Sequence, residues 1–578
     1  MKGAQEYMPP PPEKEDPKDD GEKRTQAERL TELAQDEVGQ FFHDHSGDAY
    51  AVVLVNGHRE VLELRRKGFR SLLYRLYYRE YRKPPSSQAV LNALGTLEAF
   101  ARFDGPERPV FTRLAKHEDR FYLDLGNDAW EVVEITPTGW RVLTDSPVMF
   151  RRSKGLKALP TPVSGGSMGE LWDFLNAPPA ERPLVLAFLM MCLNPDGPYP
   201  LLVLIAEQGS GKSTQARVLR ELIDPNKAPL RSAPRDDRDL IIAATNSWLP
   251  VFDNLSHLSP NLSDALCRLS TGGGYATREL YSDSDETILE AMRPVILTGI
   301  DDLATRADLL DRAIILNLPR IKPEDRRTEK ELFMAFKAAK PRLLGALLDA
   351  VVTGLRNLPT TKVKNVPRMA DFATWATACE ASLGLEPGAI LTAYRENRAN
   401  ANTLALDVSP LPGVLKEFMG NHTEWEGSPS DLLSLLDGVA DDATRRSKAW
   451  PKSASSLSNK LRRLAPNLRE AGIDLEFTRI NRERLIRISL QDAVTAVTPS
   501  PAPQEVRPAR QDAGDGVGDA LVTASSLTET PSPLPSPQKT RPGRNGDGGD
   551  ASDGVLRPHS NDTQQAEEDA PLPSWDEV

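Results

Sequence analysis

Residues Ala206–Thr214 read Ala-Glu-Gln-Gly-Ser-Gly-Lys-Ser-Thr and directly follow the apolar run Leu201–Ile205. Apart from Ala206, where a glycine usually stands, Ala206–Ser213 fits the pattern G-x-x-x-x-G-K-[ST]. The chemistry of that pattern is phosphate binding. Gly209 and Gly211 let backbone N–H groups turn inward around phosphate oxygens, Lys212 brings charge to the β- and γ-phosphates, and the Ser213 hydroxyl is a ligand for Mg2+. Ala206, Glu207, Gln208, Gly209, Ser210, Gly211, Lys212, Ser213 and Thr214 are therefore the candidate nucleotide-binding residues, with ATP and Mg2+ as the expected cofactors. Three elements must hold them: a buried parallel strand over 201–205, a tight turn, and a helix from about Ser213 whose N-terminal dipole faces the same anion.

A phosphate loop needs an acid on a neighbouring strand to order the metal. The run Ser-Trp-Leu-Pro-Val-Phe-Asp-Asn-Leu-Ser supplies Asp253, so Ser213 and Asp253 are the expected Mg2+ pair. Many such ATPases place a second carboxylate next, to activate water; here the residue is Asn254. An amide orients water but does not take its proton, so either hydrolysis is slow or another carboxylate serves, Asp264 being one candidate. The strand in Arg-Pro-Val-Ile-Leu-Thr-Gly-Ile-Asp-Asp ends in Thr298, which either senses a γ-phosphate, holds the water, or simply ends a strand. Arg306 and Arg312 follow, in Asp-Leu-Ala-Thr-Arg-Ala-Asp-Leu-Leu-Asp-Arg-Ala. Each is a candidate arginine finger reaching a neighbouring subunit's nucleotide, with structural ion pairing as the alternative. Between Asp253 and Thr298, Tyr275 and Arg278 flank a Gly-rich turn. They are candidates for stacking on bases or pairing with phosphates, unless the segment is a plain surface loop.

Around these residues the 578-residue chain divides by composition. Residues 1–27 are Pro-rich, charged and aperiodic, and 491–578 are rich in Pro, Gly, Ser and Asp; both are expected to be disordered. Between them lie an α+β N-terminal part (28–160), the nucleotide-binding part (167–322), a helical part (323–405) and a small module (411–490). The net charge of -12 is concentrated in the tail, where Asp492–Val578 holds 15 Asp/Glu and 6 Lys/Arg, so it does not argue against a nucleic-acid partner. Cys192, Cys267 and Cys379 have neither metal-ligand nor disulfide spacing, which fits a reducing cytoplasm. The longest apolar run, Pro183–Leu193, is too short to cross a bilayer, and the N-terminus has no apolar signal core, so a cytoplasmic location without a membrane partner is expected.

The module at 411–490 has a strong local charge. From Arg445 to Arg487 there are 12 Lys/Arg against 4 Asp/Glu. Leu457, Leu461, Leu464 and Leu468 make one apolar helix face, with Ser453 able to cap its start and Gly472 to end it. Lys460, Arg462, Arg463 and Arg469 lie mostly off that face, and the following hairpin carries Arg482 and Arg484. Helix, helix, hairpin is the winged-helix order, and duplex DNA is the expected partner; a solvated basic face that docks on a protein or on the acidic tail is the alternative. In the N-terminal part, Arg65–Lys83 interleaves cations with Tyr74, Tyr77, Tyr78 and Tyr81. That composition suits single-stranded nucleic acid and equally suits an amphipathic helix with a basic outer face. Asp124 and Asp128 are not spaced as a metal-binding Asp-x-Asp pair, and no Cys/His zinc cluster appears, so primase activity is not expected.

The loop 206–214, the Phe-Asp-Asn at 252–254, the short spacing from Lys212 to Asp253, Val295–Asp302 and Leu309–Pro319 together resemble the P-loop ATPases of phage and plasmid replication proteins, of the superfamily 3 helicase and AAA+ type. The resemblance covers about 167–322. The whole chain is also similar to ATP-binding, primase- or helicase-like proteins of prophages and mobile elements. It implies an α/β fold with an AAA+-like P-loop NTPase core, assembled as a homo-oligomer, usually a hexamer, that threads single-stranded DNA through a ring channel beside other replication proteins. Asn254 and Thr298 depart from that family, which usually has a second acid and an Asn. The function expected is a helicase- or translocase-like ATPase in mobile-element DNA replication. The alternatives are an ATP-switched DNA-binding or loading protein of low turnover, and a regulatory DNA-binding protein whose P-loop controls oligomerisation.

Overall fold

The computed structural model describes residues 24–273, 275–278, 286–289, 291–300, 306–407, 409–420, 422–480 and 483–490. The tail 491–578 and residues 1–23 lie outside that set. Residues 24–27 belong to ordered chain: Gln26–Glu37 is a helix, and Thr25 and Glu28 form a reciprocal capping box at its start. The Pro-rich, charged composition of the preceding residues hid that signal.

Four short apolar strands organise the middle of the chain. They are β1 (Leu201–Ile205), β2 (Val251–Leu255), β3 (Val295–Gly299) and β4 (Ala313–Asn317), all parallel, in the order β2-β3-β1-β4. Their runs are apolar at almost every position because both faces are covered. Leu202, Leu204, Ile296, Ile314 and Leu316 belong to one core, shared with the helices Arg182–Cys192, α1 (Lys212–Ile223) and the 29-residue α2 (Glu329–Asn357). Leu201, Val203, Val295, Leu297, Ala313 and Ile315 belong to the other, shared with the helices Asp237–Thr245 and Pro260–Thr271.

Upstream, strands Val38–His43, Ala49–Val55 and His58–Glu63 form an antiparallel sheet covered by helices Gln26–Glu37, Lys67–Tyr81 and Ser87–Phe103, around a cluster of their own. Asn56 and Gly57 both take positive φ, the turn chemistry that an Asn-Gly hairpin needs. A second antiparallel sheet, Leu114–Leu143, packs Leu114, Phe121, Leu123, Val133 and Ile135 into the same core as α1 and α2. The buried Arg113 seals that junction: its Nε donates to Asp224 Oδ1 at 3.0 Å, just beyond the end of α1.

The C-terminal module has helices Pro410–Met419, Pro429–Val439, Asp442–Arg446 and Ala454–Glu470. Leu457, Leu461 and Leu468 are buried, and Ser453 caps the last helix through Ser456 N. The strand pair Ile473–Ile480 and Glu483–Leu490 gains a third member, Glu424–Gly427, against the outer side of the second strand. No described helix is long and apolar enough to cross a membrane.

Candidate nucleotide site

A parallel sheet brings the C-terminal ends of all its strands to one edge, where the chain must turn into helices. At that edge β1 runs into the loop 206–211, and Lys212 starts α1. Gly209 and Gly211 have φ of +85° and +77°. Those angles belong to the left-handed region, and a Cβ on Gly211 would also stand 3.0 Å from Ile321 Cδ1. Lys212 is nearly buried, and its Nζ donates to the carbonyl of Ala206 at 3.1 Å, the first residue of the loop.

Asp253 is on β2, two strands from β1 rather than on the adjacent strand, with β3 between them. A register shift between Phe252 and Leu255 lifts this end of β2 out of regular pairing. The Ser213 hydroxyl still reaches Asp253 Oδ1, donating at 2.9 Å. Thr298, fully buried on β3, donates to the same oxygen at 2.5 Å and accepts from Asn254 N at 2.9 Å. Thr298 is thus a bridging group rather than a plain strand end. Asn254 holds a φ of +57°, which Asn tolerates better than most residues, and its side chain is exposed.

Beside the loop lies a cavity of about 450 Å3. Gly209, Gly211, Thr214 and Gln215 form one wall; Phe174, Leu175 and Asn176 form a second; Ile321, Arg326 and Leu332 close it. Gln215 Nε2 is buried there with no hydrogen-bond partner among the described residues. Asn176 Nδ2 donates to Ser210 O at 3.3 Å and to Pro319 O at 2.6 Å, which pins the loop to the segment after β4. The guanidinium of Arg326 comes within 3.4 Å of where a Gly209 Cβ would stand. Sequence reasoning missed Asn176, Gln215 and Arg326 because they lie far apart in the chain, come together only through folding and carry no motif. The lining also holds Asp173, Asp325, Arg327 and Glu329; the apolar side chains of Phe174, Leu175, Ile321 and Leu332, the Gln215 amide and the left-handed glycines are the features that fit a nucleoside phosphate.

The remaining candidates are dispersed. Arg306 Nη2 binds Asp264 at 2.6 Å and Asp308 at 3.0 Å, so Arg306 and the reserve carboxylate Asp264 engage each other. Arg312 Nη1 donates to Asp308 O at 2.8 Å, while its buried Nε has no partner among the described residues. Tyr275–Arg278 pairs with Glu286–Leu289 as an antiparallel hairpin, but the side chains of Tyr275 and Arg278 lie outside the described residues, as does Arg482. In the C-terminal module, Lys460 donates to Ala449 O, the Arg462 guanidinium lies 5.0 Å from the centre of the Phe477 ring, and Arg469 Nε binds Asp474 at 2.7 Å. Arg463 and Arg484 are exposed. Asp124 is buried and held by Arg152, which donates to both its oxygens.

Residues 168–403 match the model of the actinomycete integrative conjugative element replication protein, and residues 413–504 match the model of that RepA family's C-terminal domain. Together the two matches span more than half of the chain. The chain belongs to this family of replication proteins. It is a replication protein of a mobile element, and the loop, Asp253 and Thr298 all fall within the first match. Residues 24–103 lie outside both matches. Among solved structures, the A form apo structure of the NrS-1 C terminal region is similar at 9% identity, covering 80% of this chain and 99% of that one, with a TM-score of 0.37. The X-ray structure of JCV helicase is similar at 13% identity, covering 40% of this chain and 63% of that one, with a TM-score of 0.21. No curated protein matches the chain.

Proposed function

We propose that this replication protein binds Mg-ATP at residues 206–214 and couples its turnover to movement along, or remodelling of, DNA during replication of its element. The observation that carries this reading is the junction of Ser213, Asp253 and Thr298 on one carboxylate oxygen, beside a loop whose Gly209 and Gly211 are left-handed. Bound Mg-ATP would supply an activated phosphoanhydride, and the chain would supply its placement. Lys212 would exchange the Ala206 carbonyl for phosphate oxygens. Ser213 and Asp253 would hold the metal, and Thr298 would fix the carboxylate. Arg312, with its unspent buried Nε, is the stronger candidate to serve a neighbouring subunit in a homo-oligomer, because Arg306 is committed to Asp264 and Asp308. Arg463 and Arg484 would meet the phosphates of duplex DNA at the C-terminal module.

A second reading, an ATP-switched loader with low turnover, is favoured by Asn254 standing where an acid would activate water, and by Asp264 being paired away. Steady-state ATP hydrolysis with and without single-stranded DNA, beside Lys212→Ala, separates the two. Stimulated turnover lost in the variant supports the motor. Tight ATP binding with negligible turnover supports the switch, and no ATP binding at all removes both.

A further inference from the structure

The helix Lys67–Tyr81 carries a surface that neither family match covers. Its four tyrosines have different fates. Tyr77 is buried in the N-terminal core, and its ring centre lies 4.7 Å from that of Tyr81. Tyr81 also receives the Arg29 guanidinium at 5.4 Å. Tyr74 packs partly against the core, while Tyr78 is 54% exposed. At about 100° per residue, Lys67, Arg70, Tyr74, Arg75 and Tyr78 fall within an arc of about 140°. Glu80, the one acid of this helix, points about 150° away from the middle of that arc.

The neighbouring acids are spent on cations that border the arc. Glu98 pairs with Arg65, Glu63 with Arg66 and Glu37 with Arg79. Among the described residues no ion pair engages Lys67, Arg70, Arg75, Arg82 or Lys83, and all five are exposed. The stripe from Lys67 to Arg82 is about 22 Å long. A run of unpaired cations around an exposed aromatic ring has the chemistry to take phosphates and one open base face together. A duplex hides its base faces and leaves Tyr78 without a role.

We infer that the N-terminal helix face of Lys67, Arg70, Arg75 and Tyr78 is a binding surface for single-stranded nucleic acid. It is separate from the nucleotide loop and from the basic C-terminal module. The test uses the full chain without nucleotide, with a fluorescent oligo-dT strand and a duplex of equal length as probes across a salt series. The triple variant Lys67→Glu/Arg70→Glu/Arg75→Glu should weaken single-strand binding at least about tenfold, and lower the slope of log affinity against log salt by about 2, at roughly 0.7 per phosphate contact. Tyr78→Ala should weaken single-strand binding about tenfold and leave duplex binding unchanged. A strand carrying 5-iodouracil should crosslink to Tyr78. The conservative triple Lys67→Arg/Arg70→Lys/Arg75→Lys should bind as the wild type does. Equal losses for strand and duplex would overturn the assignment. So would unchanged affinity with crosslinks confined to other segments, or a stripe that affects only binding to phosphatidylserine vesicles.

Discussion

Replacing Thr298 by valine keeps the buried shape on β3 and removes one hydroxyl. That hydroxyl makes two bonds, one donated to the Asp253 carboxylate at 2.5 Å and one accepted from Asn254 N at 2.9 Å. A hydrogen bond to a charged group contributes about 1.5–3 kcal/mol, and a buried N–H left without an acceptor costs about 1–3 kcal/mol. Asp253 is only part-buried and keeps Ser213, so the low end applies to both, and the variant should lose about 2.5 kcal/mol in all. If half of that loss falls on the placement of Asp253, the apparent Mg2+ affinity of the ATP complex should drop several-fold to about tenfold, since about 1.4 kcal/mol is a factor of ten. The assay is fluorescent-ATP binding titrated with Mg2+, beside urea unfolding. Thr298→Ser keeps both bonds and should stay close to the wild type in Mg2+ dependence. A valine variant with wild-type Mg2+ dependence would refute the reasoning, because Thr298 would then not be positioning the metal ligand.

Asn254→Asp tolerates the same left-handed backbone and adds the missing carboxylate; under the proposed function it should raise the rate of ATP hydrolysis at least about tenfold, and no gain would place the base elsewhere. Asp224 receives Arg113 Nε, Ser247 Oγ, Trp248 N and Leu249 N, so Asp224→Ala strands buried donors and leaves the buried Arg113 guanidinium without its carboxylate, and should cost about 3–5 kcal/mol in chemical denaturation. The Asp224 carboxyl sits below its ordinary range: burial pushes it up, but the charges of Arg113 and Arg220 together with the hydrogen bonds from Ser247 and Leu249 N outweigh that, so its contribution is present above the unfolded range and is lost as pH falls through the folded value. Glu181 goes the other way, pushed up to about 7 by burial against one bond from Asn317 N; its stabilisation is full at acid pH and is lost as pH rises toward 7. Glu181→Gln should therefore gain on the wild type between the ordinary glutamate range and about pH 7, with a constant difference above it, measured as Tm against pH.

The pairing of Ser213 with Asp253 was legible in the sequence, because a phosphate loop needs an acid on a nearby strand to order its metal; the bond from Thr298 to that acid was not, since Thr298 read only as a phosphate sensor, a holder of water or a strand end. What lies across the chain was not legible either. The strand order puts β3 between β2 and β1, and periodicity carries no information about neighbours. Asn176, Gln215 and Arg326 meet only through folding. Arg306 and Asp264 are 42 positions apart, and nothing local marks them as partners. The strand Glu424–Gly427 is four residues long, too short for alternation to show, and its place is set by pairing with Glu483–Leu490. The tyrosines of Lys67–Tyr81 looked equivalent in sequence, and only packing sorted the buried Tyr77 from the exposed Tyr78.

The strand order also dictates how the site must work as a unit. Adjacent strands stand about 4.8 Å apart, so β1 and β2 are separated by roughly 10 Å, too far for the end of β1 to touch Asp253 directly. The gap is spanned twice. Above the sheet edge, the first turn of α1 brings Ser213 over β3 to Asp253. Within the sheet, Thr298 binds Asp253 from the middle strand and at the same time holds the backbone of Asn254. A movement of Ser213 is therefore felt at Asp253 Oδ1, and Thr298 connects that oxygen to the backbone carrying Asn254. Ser213→Ala removes the upper span and leaves the lower one intact, whereas Thr298→Val does the reverse. If the two spans act through one oxygen, the double variant should lose less Mg2+ affinity than the sum of the single losses; strict additivity would mean that they act independently.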